Sequence, residues 1–252
     1  MKIALYGNRS VLLDELLKKY DFEVVSPEAD PVCPILCYGG DGAMLGAELA
    51  YPSRVKIPIR DCETAPHCPE HSLEGLIRRL HDGDCVCKEL PKLSGVCGAF
   101  RCLGLNDIFI HSSNKRSALR FQLQIDGKLY AKEMVGDSVG VSTVHGSTAY
   151  YRSITHGSFQ TGIGLAFSNC TELVNHLVLR EDSVIKIRIL RGPAELVYDN
   201  SPEIHPVGEG EVVTISLAEE KAGMILLEEF MCPECRSIRH RERSHGYEDV
   251  PL

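Results

Sequence analysis

Residues 136–153, GDSVGVSTVHGSTAYYRS, and residues 39–42, GGDG, are the two stretches that decide the fold. The shorter stretch puts the carboxylate of Asp41 into a turn with little room for other side chains. The longer stretch is a run of glycine, small and hydroxyl-bearing residues that closes on Tyr150. Together they indicate a phosphate-handling loop that faces a nucleotide pocket.

The composition is that of an ordinary soluble globular protein. The chain has 252 residues, of which 44% are hydrophobic and 25% charged. A net charge of −8 argues against a nucleic-acid partner, although local loops of an acidic protein can still bind phosphate. No apolar run approaches the ~20 residues of a membrane helix, and the start, MKIALYG, is too short for a signal peptide. We therefore expect a cytoplasmic protein with no membrane partner, whose eleven cysteines are mostly reduced.

Strands and helices alternate over the first part of the chain. Apolar runs predict strands at 2–6, 22–25, 35–38 and 55–59. Helical spacing predicts helices over 12–20 with Ser10 as cap, over 44–51, and over 73–81 with Ser72 as cap. This alternation is typical of an open α/β sheet, so we expect a Rossmann-like N-terminal domain over residues 1–90 that carries the GGDG turn.

Beyond residue 84 the pattern changes to strands. Residues 121–125 alternate with period two, Asp126-Gly127 is a strong hairpin signal, and 128–134 runs back. Further strands are predicted at 106–111, 139–143, 184–190, 194–198, 211–217 and 223–230. We expect an all-β, β-sandwich-like domain over residues 91–230. A polar tail follows over 231–252, which we expect to be loose over about 236–252, and its return to the N-terminal domain stays open.

The strand–GGDG–helix order has a chemical use of its own. Glycines let the backbone approach a ligand closely, and the amino end of the following helix favours phosphate. A carboxylate at Asp41 could accept a proton from a hydroxyl group or help to hold a metal ion. A tight turn in which Asp41 only caps the helix stays equally open.

With the 136–153 segment beside it, the chain resembles the NAD kinase family, within the larger group that also holds diacylglycerol and sphingosine kinases. That family carries a GGDG turn, an Asn-Glu pair and a GDG…STPTGSTAY segment. Here these correspond to residues 39–42, to Asn106-Asp107 and to residues 136–150. The clear match covers about residues 34–45 and 104–153. The resemblance implies an NAD kinase-like fold for the two domains.

The resemblance also implies an activity: transfer of a phosphoryl group from ATP to the 2′-hydroxyl of NAD, with Mg²⁺ bridging the phosphates. Asp41 would be the general base, and Gly39, Gly40 and Gly42 the phosphate loop. The implied NAD-binding residues are Asn106 for adenine, Asp107 for the ribose hydroxyls, Asp137 for the nicotinamide end, and Thr148, Ala149, Tyr150 and Ser153 along the pocket. A homodimer or homotetramer is implied as well.

Each of these assignments has a plainer alternative. Asn106 and Asp107 could only start a strand, Asp137 could be a turn residue, and Tyr150 could belong to the core. These readings stay open for the single residues, whereas the joint order of the motifs favours the functional reading.

Several positions depart from the family pattern. Ala43 stands where a threonine is usual, and Val135 where an arginine is usual. His145 follows a stretch that has lost its proline, and residues 60–66 replace a second glycine-rich loop. These departures weaken the match on the ATP side more than on the dinucleotide side. Two alternatives therefore stay open: a related kinase with a lipid or small-molecule acceptor, and a non-catalytic NAD(P)-binding protein.

A CxxC motif lies near the end of the chain. Cys232 and Cys235, with His240 and His245 downstream, form a candidate zinc site. The spacing is tighter than that of common zinc fingers and no second CxxC exists. A reduced thiol pair in a mobile tail is the favoured alternative.

Overall fold

The structure, a computed structural model, describes residues 1–114 and 116–244. Its strands are β1 (Lys2–Tyr6), β2 (Glu23–Val24), β3 (Ile35–Tyr38), β4 (Lys56–Ile59), β5 (Cys87–Cys97), β6 (Phe100–Gly104), β7 (Asp107–Ser112), β8 (Leu119–Ile125), β9 (Lys128–Gly136), β10 (Ser138–Ser142), β11 (Ile163–Ser168), β12 (His176–Leu179), β13 (Ile185–Arg191), β14 (Ala194–Tyr198), β15 (His205–Val207) and β16 (Val212–Ile225). Its α-helices are α1 (Asp14–Lys19), α2 (Asp41–Ala50), α3 (Leu73–Asp82), α4 (Tyr150–Thr155), α5 (Leu227–Phe230) and α6 (Pro233–Ser244), and 3₁₀ turns cover Ser10–Leu13, Pro69–His71 and Gly146–Thr148.

These elements form two compact units. The first unit consists of residues 1–89 together with the described residues from 222 onward, and the second of residues 90–221. The chain thus leaves the first unit and comes back to it. Among the described residues, no helix combines the length and the apolar character that a membrane crossing requires.

The first unit is built on a parallel sheet with strand order β2-β1-β3-β4, and the end of β16 pairs with β4. Successive residues of β3 point to opposite faces. Leu36 and Tyr38 pack in one cluster with residues of α1 and α3, whereas Ile35 and Cys37 pack with Ala47 of α2. Both faces are covered, which explains why β3 and β4 are buried along their whole length. The predicted α/β character and the strands at 2–6 and 35–38 are confirmed.

The second unit is a sandwich of antiparallel sheets. One sheet has the order β12-β11-β10-β7-β14-β15, and the other contains β16-β13-β8-β9. The core takes alternate residues from strands of both sheets: Leu119, Phe121, Leu123, Ile185, Ile187 and Ile189 from one, and Ile108, Ile110, Val139, Val141, Leu165 and Phe167 from the other. The predicted hairpin is present, with Asp126 and Gly127 both at positive φ between β8 and β9. The β-rich prediction is therefore confirmed.

Three local predictions are wrong. Ser10 does not cap a helix, because its hydroxyl donates to the carbonyl of Gly7 at 2.9 Å. Residues 223–230 are not one strand: β16 ends at Ile225, Leu226 takes a left-handed conformation with φ of 62°, and α5 follows. The tail is not loose over residues 236–244, because α6 begins at Pro233, a residue suited to the first turn of a helix.

A buried ion pair connects α2 to β4. The side chains of Lys56 and Glu48 are 0% and 5% exposed and form a close contact through Nζ and a carboxylate oxygen. Lys56 Nζ also donates to the carbonyl groups of Tyr51 and Arg54, each at 2.7 Å. The ammonium group is therefore held by one charge and two dipoles, as a buried cation requires.

We expect Lys56→Met to lower the free energy of unfolding by about 3–5 kcal/mol, because it leaves the carboxylate of Glu48 buried without its cation. The double variant Lys56→Met/Glu48→Leu should recover most of this loss. Urea denaturation followed by circular dichroism measures both. A single variant as stable as the unmodified protein would show that the pair is solvated.

Candidate functional site

A crevice is expected where β1 and β3 lie side by side. The helix after β1 and the helix after β3 cover opposite faces of the sheet, and ligands of open α/β sheets bind outside the carboxyl ends of such strands. A cavity of about 350 Å³ lies there, lined by Tyr6, Gly7, Asn8, Arg9, Tyr38, Gly39, Gly40, Gly42, Ala43 and Asp61. The predicted phosphate loop thus lines a cavity together with the turn after β1.

Two of these glycines are required by the backbone. Gly7 has a φ of 121°, and a Cβ atom there would lie 2.2 Å from the carbonyl oxygen of Tyr38. Gly39 has a φ of 152°, and a Cβ atom there would lie 2.9 Å from the Cβ of Ala43. Larger residues fit neither position, so the wall of the cavity is largely main chain, which suits close approach of a ligand.

Asp41 is the first residue of α2, and Gly40 is its N-cap. The carboxylate of Asp41 forms a bidentate pair with Arg60, with Nη1–Oδ2 and Nη2–Oδ1 distances of 3.1 Å. The Asp41 side chain is 58% exposed and that of Arg60 only 10%. Arg60 is held in turn by Phe230, whose ring centroid lies 3.8 Å from the guanidinium carbon and whose carbonyl accepts from Nε at 3.3 Å. The carboxylate is therefore fixed in orientation at the entrance of α2.

The charges of the cavity come from the segments that follow β1 and β4. The Arg9 guanidinium lies 3.2 Å from a carboxylate oxygen of Asp61 and also pairs closely with Glu63. The Asp61 side chain is 5% exposed. From the sequence, Arg60 and Asp61 were not assigned a role, because residues 60–66 stand where a second glycine-rich loop is expected. Their signal was position: both directly follow a buried strand that is parallel to β3, so they share its carboxyl edge.

In the second unit, the Asn106-Asp107 pair and the GSTAY segment lie together. β7 and β10 pair with Asp107 opposite Ser142. Thr143 Oγ1 donates to the carbonyl of Leu105 at 2.7 Å, and Ser142 Oγ donates to that of Asn106 at 3.1 Å. A Cβ atom on Gly146 would lie 2.1 Å from the carbonyl oxygen of Asn106. The motifs therefore form one packed unit that needs glycine at this position.

The side chain of Asn106 has an unused acceptor. Asn106 is 8% exposed, and its Oδ1 atom is buried with no hydrogen-bond donor from the described part of the chain. Leaving a buried acceptor unsatisfied costs about 1–3 kcal/mol. The main chain is well satisfied by contrast, because the carboxylate of Asp199 accepts from the amides of Leu105, Asn106 and Asp107 at 2.7, 2.7 and 3.2 Å. The Asn106 side-chain oxygen is thus a buried acceptor without a donor among the described residues, and its contact with a nucleotide stays a prediction.

Asp107 is 8% exposed. Burial, and secondarily the nearby negative charge of Asp199, raises the pKa of Asp107 to about 7. Near neutral pH this carboxyl group can therefore donate or accept a proton, which is useful beside a sugar hydroxyl. The contact of Asp107 with a ribose stays a prediction.

The remaining predicted residues lie at different places. Tyr150 begins α4, is 38% exposed, and meets the ring of Phe109 edge-on at 4.6 Å, so it is not plain core. Thr148 is half-buried and Ala149 exposed, and Ser153 Oγ donates to the Tyr150 carbonyl at 2.7 Å.

Asp137 precedes β10, and its carboxylate accepts a hydrogen bond from the side-chain amide of Asn169 at 2.8 Å. It therefore lies at the opposite end of β10 from Ser142, roughly 16 Å along the strand.

No protein-family model and no curated protein matches the sequence. Solved structures, in contrast, are similar to this chain in three dimensions. An NAD kinase from Archaeoglobus fulgidus, solved in complex with ATP, matches with a TM-score of 0.72 and 21% identity over 94% of this chain and 99% of that one. Yeast NADH kinase, solved in complex with NADH, matches with a TM-score of 0.73 and 16% identity over 100% of this chain and 89% of that one. The chain has the NAD kinase fold. The fold predicted from the two motifs is therefore confirmed.

In this NAD kinase fold, the pKa of Asp107 predicts a pH-dependent stability. An ordinary value of 3.8 rises to about 7 on folding, so the folded protein holds an extra proton between these values. Stability is then lost as the pH rises through this window. Asp107→Asn has no carboxyl group to titrate, so it does not lose stability in this window. The difference in unfolding free energy between this variant and the unmodified protein should therefore rise in favour of the variant by roughly 2 kcal/mol between pH 5 and pH 8. Urea denaturation at both pH values measures this. Glu181→Gln, at an exposed position, is the control, and parallel curves for Asp107→Asn would contradict the assignment.

Proposed function

We propose that the protein is an NAD kinase, which transfers a phosphoryl group from ATP or another phosphoryl donor to the 2′-hydroxyl of NAD. The observation that carries the proposal is the packing of Asn106 against the GSTAY segment, where a Cβ atom on Gly146 would lie 2.1 Å from the Asn106 carbonyl oxygen. The side-chain oxygen Oδ1 of the same residue is buried and has no partner among the described residues. The NAD kinase fold supports it, as do the ATP and NADH bound in the two similar structures.

On the dinucleotide side, the groups present match an adenosine. The exocyclic amine of adenine is a donor and suits Asn106 Oδ1, while the amide of the same side chain can donate to a ring nitrogen. Asp107 would accept from ribose hydroxyl groups, with a reach one methylene group shorter than that of a glutamate. Tyr150 would offer an exposed ring, with Thr148, Ala149 and Ser153 nearby on the same short segment.

On the phosphoryl side, the cavity next to β1 and β3 offers positioning rather than covalent chemistry. Phosphoryl transfer depends mainly on orientation and on neutralising charge. The positive end of the α2 dipole favours phosphate, and Gly39, Gly40 and Gly42 leave room for phosphate oxygens. Arg9 also lines the cavity and would contact phosphate by exchanging one of its carboxylate partners, Asp61 or Glu63. Because Ala43 has no hydroxyl group, phosphate oxygens would depend more on the main-chain amides at the start of α2 and on Arg9.

Asp41 would act as the general base and Arg60 as its positioning residue. A carboxylate oxygen can accept more than one hydrogen bond, so the bidentate contact with Arg60 leaves capacity for a substrate hydroxyl. The guanidinium also fixes the plane of the carboxylate, since Arg60 is itself clamped by Phe230. Proton acceptance then requires little rearrangement of the site.

Mg²⁺ fits this site as an ion carried by the substrate. Magnesium sites of this kind use phosphate oxygens, water and one or two carboxylates. Asp61 lines the cavity, and Asp41 lies between the lining residues Gly40 and Gly42. The ion would neutralise charge on the transferred phosphoryl group, while the protein residues position the donor and the acceptor hydroxyl.

One observation favours a second candidate function. Arg60 engages both oxygens of Asp41 in the structure. If this contact keeps Asp41 from accepting the substrate proton, the protein is a non-catalytic NAD(P)-binding protein. The two functions differ in turnover, because both predict NAD binding and only the kinase predicts NADP formation from NAD and ATP with Mg²⁺.

We expect Asp41→Asn to lower NADP formation by about 10²–10⁴-fold, because the base is lost while the shape is kept. Its Kd for NAD by calorimetry should stay close to that of the unmodified protein. Asp84→Asn, at an exposed aspartate of the same unit, is the control and should keep full turnover. A fully active Asp41→Asn protein would exclude the assigned base. If the unmodified protein binds NAD but forms no NADP with ATP, polyphosphate or other nucleoside triphosphates, the non-catalytic function is established.

Asn106→Leu tests the nucleotide contact separately. It should raise the Kd for NAD by about tenfold or more, because the adenine amine loses its acceptor. The stability of the free protein should not fall, since the variant removes a buried oxygen that has no partner among the described residues. Calorimetry and thermal unfolding measure the two effects, with Asn175→Leu as an exposed control. Unchanged affinity would show that the oxygen serves no ligand.

A further inference from the structure

Four metal-ligating side chains meet in the first unit, away from the GGDG turn in sequence. Cys68 directly precedes the 3₁₀ turn Pro69–His71 ahead of α3 and His71 is its last residue, while Cys232 and Cys235 lie at the amino end of α6. One ligand atom from each of the four lies within 4.8 Å of every other. Two short motifs, Cys-x2-His and Cys-x2-Cys, are thus brought together from positions more than 150 residues apart.

The distances fit a tetrahedral zinc site. Bonds of about 2.3 Å to sulfur and 2.0–2.1 Å to nitrogen give a sulfur–nitrogen edge of about 3.6 Å. His71 Nδ1 lies 3.3 Å from the sulfur of Cys68 and 3.6 Å from that of Cys235. Both edges are close to the expected value. The same ring nitrogen faces both sulfurs, so one atom of His71 would complete the ligand set.

The surroundings do not explain these cysteines as core residues. Cys68, Cys232 and Cys235 are 1%, 8% and 2% exposed, yet the only other hydrophobic member that packs in their cluster, among the described residues, is the partly buried Ile238. Cys33 and Cys37 differ, because they pack with Ala4, Ile35 and Ala47 in the core beneath α2. Three thiols whose hydrophobic cluster has one further member among the described residues are better explained by a shared ligand than by packing.

The groups around the cluster support ligand geometry. The amide of Cys68 donates to the sulfur of Cys235 at 3.2 Å, a contact that stabilises a thiolate. His67 links the turn to the Asp41 site, since its Nδ1 lies 2.6 Å from the carbonyl oxygen of His71 and its Nε2 lies 3.1 Å from that of Arg60. The 3₁₀ turn that carries His71 is therefore held to the strand end at Arg60 by the His67 side chain.

We propose that Cys68, His71, Cys232 and Cys235 bind one Zn²⁺ ion as a structural site. Three thiolates and one imidazole occupy all four tetrahedral positions, which is the closed arrangement of a structural rather than a catalytic zinc. The ion ties the amino end of α6 to the turn before α3. The set shares Cys232 and Cys235 with the candidate predicted from the sequence, and replaces its two histidines with Cys68 and His71. Of those histidines, His245 lies outside the described residues, as does the side chain of His240.

The proposal is tested on the full chain without a histidine tag, by plasma mass spectrometry of bound metal. We expect one zinc per chain in the unmodified protein and in the control Cys87→Ser, an exposed cysteine. His71→Ala should weaken zinc binding at least about 10–100-fold. His240→Ala/His245→Ala should keep its zinc.

A second measurement covers variants that fail to fold. Replacing zinc with Co²⁺ in the unmodified protein should give the visible bands of a tetrahedral ion and charge-transfer absorption from three thiolates. Zinc kept in His71→Ala but lost in His240→Ala/His245→Ala would overturn the ligand set. A protein that binds neither metal, with Cys232 joined to Cys235 or Cys68 as a disulfide, would overturn the site in favour of a redox pair. Removal of zinc by a chelator should lower the Tm, and an unchanged Tm would contradict a structural role.

Discussion

The parallel pairing of β3 with both β1 and β4 is the constraint on which the chemistry of the first unit depends. Parallel strands end at one edge, so three separate turns meet there: those of Gly7, of Gly39 and of Arg60. Tyr38 pairs with Ile59 in the register, and the residues that follow these two partners lead directly to Asp41 and Arg60. A shift of that register would remove the guanidinium from the carboxylate. The ion pair is therefore a consequence of the sheet as much as of the two side chains.

In the second unit, the turn over residues 105–107 has a satisfied main chain beside a buried side-chain acceptor without a partner among the described residues. The carboxylate of Asp199 takes three amides of the 105–107 turn, and the hydroxyls of Ser142 and Thr143 bond its carbonyl groups. The turn is rigid as a result, and within this turn the side-chain oxygen of Asn106 is a buried acceptor with no partner among the described residues. Rigid support of a single open acceptor is what a preorganised binding site requires.

Features that depend on a few consecutive residues could be predicted from the sequence. The strand–GGDG–helix order, the Asp126-Gly127 hairpin and the Ser72 cap each depend on a few consecutive residues, and the structure shows all three. Arg60 could not be assigned from its own neighbourhood, because its role depends on which strand lies beside β3. Cys68 and His71 were missed for the same reason, since their partners are more than 150 residues away. Helix α6 was missed because its polar sequence has no apolar stripe to reveal it.

A crystal structure of the protein soaked with NAD is the most direct test of the proposed hydrogen bond between the Asn106 side chain and adenine. We predict an adenine ring whose exocyclic amine lies about 3 Å from Oδ1 of Asn106, with a ribose hydroxyl at Asp107. NAD bound elsewhere, with the Asn106 oxygen satisfied by an ordered water molecule, would contradict the account.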